Sequence, residues 1–262
     1  MNGLTTVNIE LTSRCSKSCW MCGRRKLEKE HPNLAEWGDM PWGIVEKLAK
    51  QIPPNIVIQF HYSGDPLLYP NLKHALKLFK NNIRCFNTNG KLLIKKAKDI
   101  IGNMETLTIS VIERDPEANE QFEIVKKFLE IKGSNPPYMI YRLLGRVDNS
   151  ERWYELPGIV ATRVLHHPMG SYQYTQKTTI PEIGCCLDLL NHLVIDRFGD
   201  VYPCARFNPS KFNLLGNIKK DTLENLWNSP KRKRLIEEHI KQNRSYSPLC
   251  NTCEFWGVPM GE

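Results

Sequence analysis

Residues 7–26 read VNIELTSRCSKSCWMCGRRK. Val7, Ile9 and Leu11 alternate with polar residues, which predicts a β-strand with one buried face. The strand leads into Cys15, Cys19 and Cys22, spaced C-x3-C-x2-C. Soft thiolates this close together suit an iron–sulfur cluster or zinc. A cubane cluster has four irons, so three thiolates leave one iron open to a small molecule. A structural zinc site is closed by four ligands. His31 lies nine residues on, in a polar loop without matching ligand spacing.

Working outward, Ile44, Val45, Leu48 and Ile52 keep helical spacing up to Pro53-Pro54. Residues 56–60 form a β-branched run leading into His61-Tyr62-Ser63-Gly64-Asp65-Pro66. Asn71 opens a helix with Leu72, Ala75, Leu76 and Phe79 on one face. Residues 83–87 read as the next strand, closed by Thr88-Asn89-Gly90. Leu93, Ala97, Ile100 and Ile101 make a further helical stripe stopped by Gly102. Residues 107–111 predict a fourth strand, and Asp115-Pro116 predicts a helix start with proline at the first position. Strands over 138–143 and 161–165 follow, with a short polar helix from Glu151 to Leu156 between them. Six strand–helix alternations require a parallel sheet with right-handed crossovers. The cysteine loop, HYSGDP, NTNG and the residues after strand six all fall at the C-terminal ends of strands, the edge where barrels of this kind do chemistry.

From about residue 176 the pattern changes. Residues 193–204 predict a hairpin around Phe198-Gly199-Asp200. A helix follows near Thr222 to Trp227. Ser229-Pro230 caps another, with Leu235, Ile236 and Ile240 on one face, and the chain then reaches a C-x2-C pair at Cys250 and Cys253.

The chain has 262 residues, 41% of them hydrophobic. That suits one barrel-sized domain, or a medium domain plus a small one. No apolar run approaches the roughly 18 residues of a spanning helix. The N-terminal residues lack the charged and apolar regions of a signal peptide, so a cytoplasmic protein without a membrane partner is expected. Nine cysteines occur in groups, which in a reducing compartment argues for metal binding over disulfides. The net charge of +8 fits a lysine-rich solvated surface or a phosphorylated or nucleic-acid partner. The densest basic run, residues 231–234, is expected to be a solvated helix face.

The cysteine triplet after the first strand resembles the radical S-adenosylmethionine (SAM) superfamily, whose signature is C-x3-C-x-Φ-C at that place. Met21 stands at position Φ, which is usually aromatic in the family. The resemblance implies that Cys15, Cys19 and Cys22 hold a 4Fe–4S cluster whose open iron chelates the methionine part of SAM. Reductive cleavage then yields a 5′-deoxyadenosyl radical that abstracts a substrate hydrogen. It also implies an α/β fold, a partial (β/α)6 TIM-like barrel over residues 1–175. SGDP occupies the place of the family's GGEP motif, so Ser63, Gly64 and Asp65 are expected at the SAM site, with Asn89 and Ser110. Asn87 is expected to meet SAM or substrate.

Cys186, Cys204, Cys250 and Cys253, with the hairpin and helices around them, resemble the auxiliary-cluster domain called SPASM, or twitch in its short form. This implies a small α+β domain over 176–262 holding a second 4Fe–4S cluster, with Cys185 spare. Cysteine spacing alone leaves a four-cysteine zinc site open. Cys85 reads as a buried core cysteine. Arg142, a charge on an apolar strand, and His167, near His166, Ser171, Tyr172 and Tyr174, are substrate-contact candidates.

The chain resembles the compact aminocyclitol dehydrogenases of this superfamily (2-deoxy-scyllo-inosamine type). That implies an oxidoreductase that turns a secondary alcohol of a sugar or cyclitol into a ketone, the auxiliary cluster accepting the second electron. The expected partners are a small-molecule substrate and a flavodoxin- or ferredoxin-type electron donor. An epimerase, with Cys185 or Cys85 returning a hydrogen atom, shares the same first step. So does a peptide- or nucleic-acid-modifying enzyme, although peptide maturases carry an extra N-terminal domain and only six residues precede the first strand here. A non-catalytic iron–sulfur or zinc protein binding RNA or a protein partner is the reading from another class.

Overall fold

The computed structural model describes residues 1–163, 185–206 and 208–253. Its frame is a run of parallel strands in chain order: β1 (Thr6–Ile9), β2 (Val57–Gln59), β3 (Ile83–Thr88), β4 (Thr106–Ile112), β5 (Tyr138–Leu144) and β6 (Ile159–Arg163). Between them lie α1 (Gly23–Glu30), α2 (Trp42–Gln51), α3 (Leu72–Leu78), α4 (Leu93–Ile100), α5 (Ala118–Lys132) and α6 (Glu151–Tyr154). Strand alternation decides which side chains meet the helices. Val7, Ile9, Leu107, Ile109, Val111, Tyr141 and Leu143 are buried, at most 2% exposed, in the continuous apolar core.

The other face of the sheet is polar, and its register shows why. Paired residues on neighbouring strands share a face. Asn8 pairs with Gln59 and Gln59 with Cys85. Asn87 pairs with Thr108, and Ser110 with Arg142. The inner surface of the partial barrel therefore carries a band of polar side chains that includes Arg142. Arg142 faces inward, not outward. Burial lowers its pKa, and Cys85 is its electrostatic neighbour.

The predicted hairpin forms, but the sheet does not stop at β1. After α7 (Leu187–Asn191), strand β7 (His192–Ile195) pairs parallel with β1 on the side opposite β2. β8 (Asp200–Tyr202) and β9 (Gly216–Asn217) extend it antiparallel, giving a nine-stranded sheet of order β6-β5-β4-β3-β2-β1-β7-β8-β9. Covering the open edge of β1 satisfies backbone groups that would otherwise offer a pairing template. Thr5 N donates to Asn191 O, and Glu10 N to Ile195 O, both at 2.9 Å. Gly199 turns the hairpin at φ +89, where a Cβ would meet Ile218 at 2.8 Å.

Three local expectations shift. The helix expected from Asp115-Pro116 begins at Ala118. Asp115 instead accepts from Glu117 N at 3.0 Å and holds Lys17 at 2.5 Å, so its carboxylate serves the loop. After α8 (Leu223–Trp227), helix α9 (Pro230–Ile240) has Ser229 as its cap, as predicted. Leu235, Glu238 and His239 are buried while Ile240 is 67% exposed. Five residues turn the helix by roughly 500°, which carries Ile240 off the face of Leu235.

The basic run is not uniformly solvated. Lys231, Lys233 and Arg234 are exposed, but Arg232 is buried. Its guanidinium sits 3.3 Å from the Trp227 ring centroid and donates to Leu189 O at 2.6 Å and Leu190 O at 3.0 Å. It caps α7 from the far end of the domain. A last short helix, α10 (Pro248–Asn251), carries Cys250. No described helix is long and apolar enough to cross a membrane.

Arg232→Ala strips donors from the buried carbonyls at the end of α7. Thermal or urea unfolding should show a loss of about 2–3 kcal/mol, and Arg232→Lys should restore only part of it, because an ammonium near Leu189 O and Leu190 O cannot also donate to Trp227 O and stack flat on the Trp227 ring.

Candidate active site and auxiliary cysteine site

Beyond β1 the chain runs through Leu11 into the cysteine loop. Cys22 is the N-cap of α1, and its N–H bonds Cys19 O at 3.1 Å, a turn that brings these two cysteines to one side. Other elements pin the loop. Lys17 and Asp115 form an ion pair at 2.5 Å with side chains only 6% and 8% exposed. Arg14 grips Asp39 with two bonds of 3.0 and 2.7 Å, and Trp20 Nε1 donates to Glu113 O at 3.3 Å. Breaking a pair as buried as Lys17–Asp115 from one side would strand a charge, at a cost of about 3–5 kcal/mol.

The SGDP turn after β2 docks directly on this loop. A Cβ at Gly64 would lie 2.3 Å from Thr12 O and 2.6 Å from Arg14 O, so only glycine lets the two backbones approach. Asp65 N donates to Arg14 O at 2.8 Å. The Asp65 carboxylate, 3% exposed, accepts from Leu67 N, Thr88 Oγ1 and Asn89 N at 2.8–3.1 Å. Burial raises its pKa against these donors. Asp65 thus lines the site, while its carboxylate braces the turn after β2 to the turn after β3 instead of facing an open ligand position.

Asn89 directs Nδ2 at Ser16 Oγ (3.3 Å) and Cys15 Sγ (3.7 Å). Gln121 on α5, 3% exposed, donates to Asn89 O at 2.7 Å and Ser110 O at 3.0 Å. Sequence reading missed Gln121. Its signal was an amide on the apolar face of a helix, one turn from Val125.

These parts enclose a cavity of about 550 Å³. Cys15, Cys19, Cys22, Met21, Ser63, Gly64, Asp65, Asn87, Asn89 and Ser110 all line it. The wall also includes Glu10, His61, Tyr62, Asp196 and Tyr202, which the sequence reading had not assigned. His61 Nδ1 accepts from Asn87 N at 3.2 Å, and burial followed by repulsion from Arg142 pushes its pKa down to about 3. Arg142 does not reach the wall; Leu144, two residues nearer the edge, does. Arg142 stands lower on the inner face, beside Cys85 and His61. His167, with His166, Ser171, Tyr172 and Tyr174, lies outside the described residues.

The donor set fits a metal cluster. Burial, with Cys22 and Cys15 close by, pushes the Cys19 thiol up to about 12. Three thiolates can share such a place only beside compensating positive charge, which bound metal supplies.

The second group of cysteines gathers as expected. Cys186 heads α7, Cys204 follows β8, and Cys250 and Cys253 flank the end of α10; all four line a small closed cavity of about 20 Å³. Asn213 Nδ2 donates to Cys250 Sγ at 3.5 Å, and Arg244 donates to Cys253 O. Burial pushes the Cys186 thiol up to about 12. Cys185 is not part of that wall; Arg232 is its charged neighbour. Among the described residues, no three Cys, His, Asp or Glu side chains converge as they would on a single ion. A tetrahedral zinc needs sulfurs at about 2.3 Å from one centre, whereas a cubane spreads its four thiolates over four irons. Tyr62 links the two sites: it lines the large cavity, and its hydroxyl donates to Arg206 O at 3.2 Å, two residues beyond Cys204.

Residues 185–254 match the SPASM family model, an iron–sulfur cluster-binding domain. Over 261 residues the chain is 23% identical to the S-adenosyl-L-methionine-dependent 2-deoxy-scyllo-inosamine dehydrogenase of Niallia circulans, covering 94% of this chain and 91% of that protein. The crystal structure of BtrN in complex with AdoMet and 2-DOIA is similar with a TM-score of 0.57 at 17% identity, over 95% of this chain and 92% of that one. Native anSMEcpe with bound AdoMet gives a TM-score of 0.65 at 14% identity, over 95% and 88%. The chain therefore carries a SPASM domain over residues 185–254 and is similar over nearly its whole length to an S-adenosyl-L-methionine-dependent dehydrogenase.

Proposed function

We propose that the protein is a radical SAM dehydrogenase that oxidises a secondary alcohol of an aminocyclitol-like small molecule to a ketone. The observation that carries this reading is the shared cavity. One side is lined by the three cysteines and the SGDP turn, the other by the hairpin that leads into the four-cysteine site. When bound, a 4Fe–4S cluster at Cys15, Cys19 and Cys22 supplies the electron that cleaves SAM to the 5′-deoxyadenosyl radical, and a second cluster at Cys186, Cys204, Cys250 and Cys253 supplies an acceptor for the substrate's second electron.

The chain's own residues do the positioning. The turn at Ser63 and Gly64, held against the cysteine loop, presents backbone groups for the amino end of SAM. Met21, Asn89 and Ser110 border the space left for the nucleoside. The volume of about 550 Å³ is of the size that holds SAM and one small polyol. The length and coverage shared with a dehydrogenase acting on 2-deoxy-scyllo-inosamine support that substrate class.

An epimerase needs a thiol that reaches the substrate radical. Cys85 sits below the cavity wall on β3 and Cys185 beside Arg232, and neither lines the cavity. The grouping of the cysteines for metal rather than disulfides fits a reducing compartment such as the cytoplasm, with a flavodoxin- or ferredoxin-type protein as electron donor.

Anaerobic reconstitution should load about eight irons per chain. Cys19→Ala should abolish 5′-deoxyadenosine formation. Cys253→Ala should keep it but lose ketone and about four irons. Normal ketone formation by Cys253→Ala would remove the electron-acceptor role. Gly64→Ala should weaken SAM binding tenfold or more, about 1.4 kcal/mol, by displacing the turn, with the iron content of the SPASM site unchanged.

A further inference from the structure

Removing a hydrogen atom from a carbinol carbon yields a ketone only if the hydroxyl proton also leaves. A proton acceptor must therefore stand in the cavity. Among the described residues, five that line it carry a carboxylate or imidazole: Glu10, Glu36, His61, Asp65 and Asp196. Four are committed elsewhere. Glu10 accepts from Ser63 N and from Arg197 N, both at 3.1 Å. Glu36 pairs with Arg197 at 3.1 Å from an exposed position. His61 uses its accepting nitrogen on Asn87 N, so its other nitrogen is a donor. Asp65 uses both oxygens on its own chain.

Asp196 differs. It closes the turn between β7 and β8, where its Oδ1 accepts from Phe198 N at 3.0 Å and Asp200 N at 2.9 Å. That pair fixes the carboxyl group. Among the described residues no hydrogen bond is made to Oδ2, and Asp196 is one of the residues that line the cavity.

We propose that Asp196 is the proton acceptor of the oxidation, taking the substrate's hydroxyl proton on Oδ2. This rests on the dehydrogenase reading. The carbinol hydrogen leaves as an atom and ends in 5′-deoxyadenosine, and the hydroxyl proton goes to Asp196. The remaining electron leaves to a one-electron acceptor, the iron–sulfur cluster of the SPASM domain, and the C–O bond becomes C=O. One hydrogen atom, one proton and one electron together balance the two-electron oxidation.

The surroundings tune the group for this work. Burial first, then repulsion from Glu10, just beyond β1, and from Asp200 on β8, raise Asp196 to about 7 against the two backbone N–H donors. Tyr62, Tyr202 and Lys211 are the other titratable groups near it. A carboxylate at that value is ionised above neutrality and is a far better base than an ordinary aspartate. The oxidation should therefore rise as pH increases through about 7 and fall away below it.

The test compares the iron-loaded parent with Asp196→Asn, using 2-deoxy-scyllo-inosamine deuterated at its carbinol carbons. Asparagine keeps the oxygen that accepts from Phe198 and Asp200, so the turn should persist, and an unchanged iron count checks this. The parent should move deuterium into 5′-deoxyadenosine and make ketone. The variant should still move deuterium but make ketone at least roughly 100-fold more slowly, without the rise in pH. Infrared titration of the resting loaded protein should show a protonated-carboxyl band lost through about pH 7 in the parent and missing in the variant. Ketone formation by the variant at the parent's rate and pH profile, or an unchanged infrared titration, overturns the role of Asp196 and leaves the dehydrogenase reading standing. A parent that moves no deuterium from this alcohol overturns the reading itself.

Discussion

Glu10 is a buried carboxylate that takes one backbone N–H from each half of the molecule. Ser63 N comes from the turn after β2, and Arg197 N from the hairpin turn after β7. Burying this acid raises its pKa, and the two N–H donors offset that cost. The same residue directly follows β1, which pairs with β2 on one side and β7 on the other. The position of the hairpin relative to the SAM-site turn therefore hangs on one strand and one side chain. Without that tie, the cavity would lose the wall that carries Asp196 and Tyr202.

The joined sheet places the two cysteine groups on neighbouring strands. Cys15, Cys19 and Cys22 follow β1, while Cys186 and Cys204 bracket β7 and β8, next to β1 in the same sheet. Tyr62 crosses the short interval, with its ring in the cavity wall and its hydroxyl on Arg206 O.

Much of the frame was legible because it is periodic. Apolar residues at every second position marked the strands, and those at three and four marked the helices. The residues of SGDP sit at the cavity because a strand end followed by a Gly-acid-Pro turn leaves little choice of place. Where local cues competed, they misled. Asp115-Pro116 looks like a helix start, yet the carboxylate is drawn to Lys17, 98 residues away in sequence. Arg232 looks like part of a solvated basic run, yet the ends of α7 and α8 offer it carbonyls and the Trp227 ring offers it a flat partner.

The sequence alone determined the thiol groupings, the order of strands and helices, and the chemistry those residue types allow, since spacing and alternation are local properties. Only the tertiary structure decided that β7 would close the edge of β1, that Arg142 would face inward, and that Asp65 would brace a turn. It also decided which acids would line the cavity. Glu10 and Asp196 stand 186 positions apart in the chain, and no spacing rule connects them. Strand register and the docking of one turn on another bring them together, and those depend on the whole sheet being assembled.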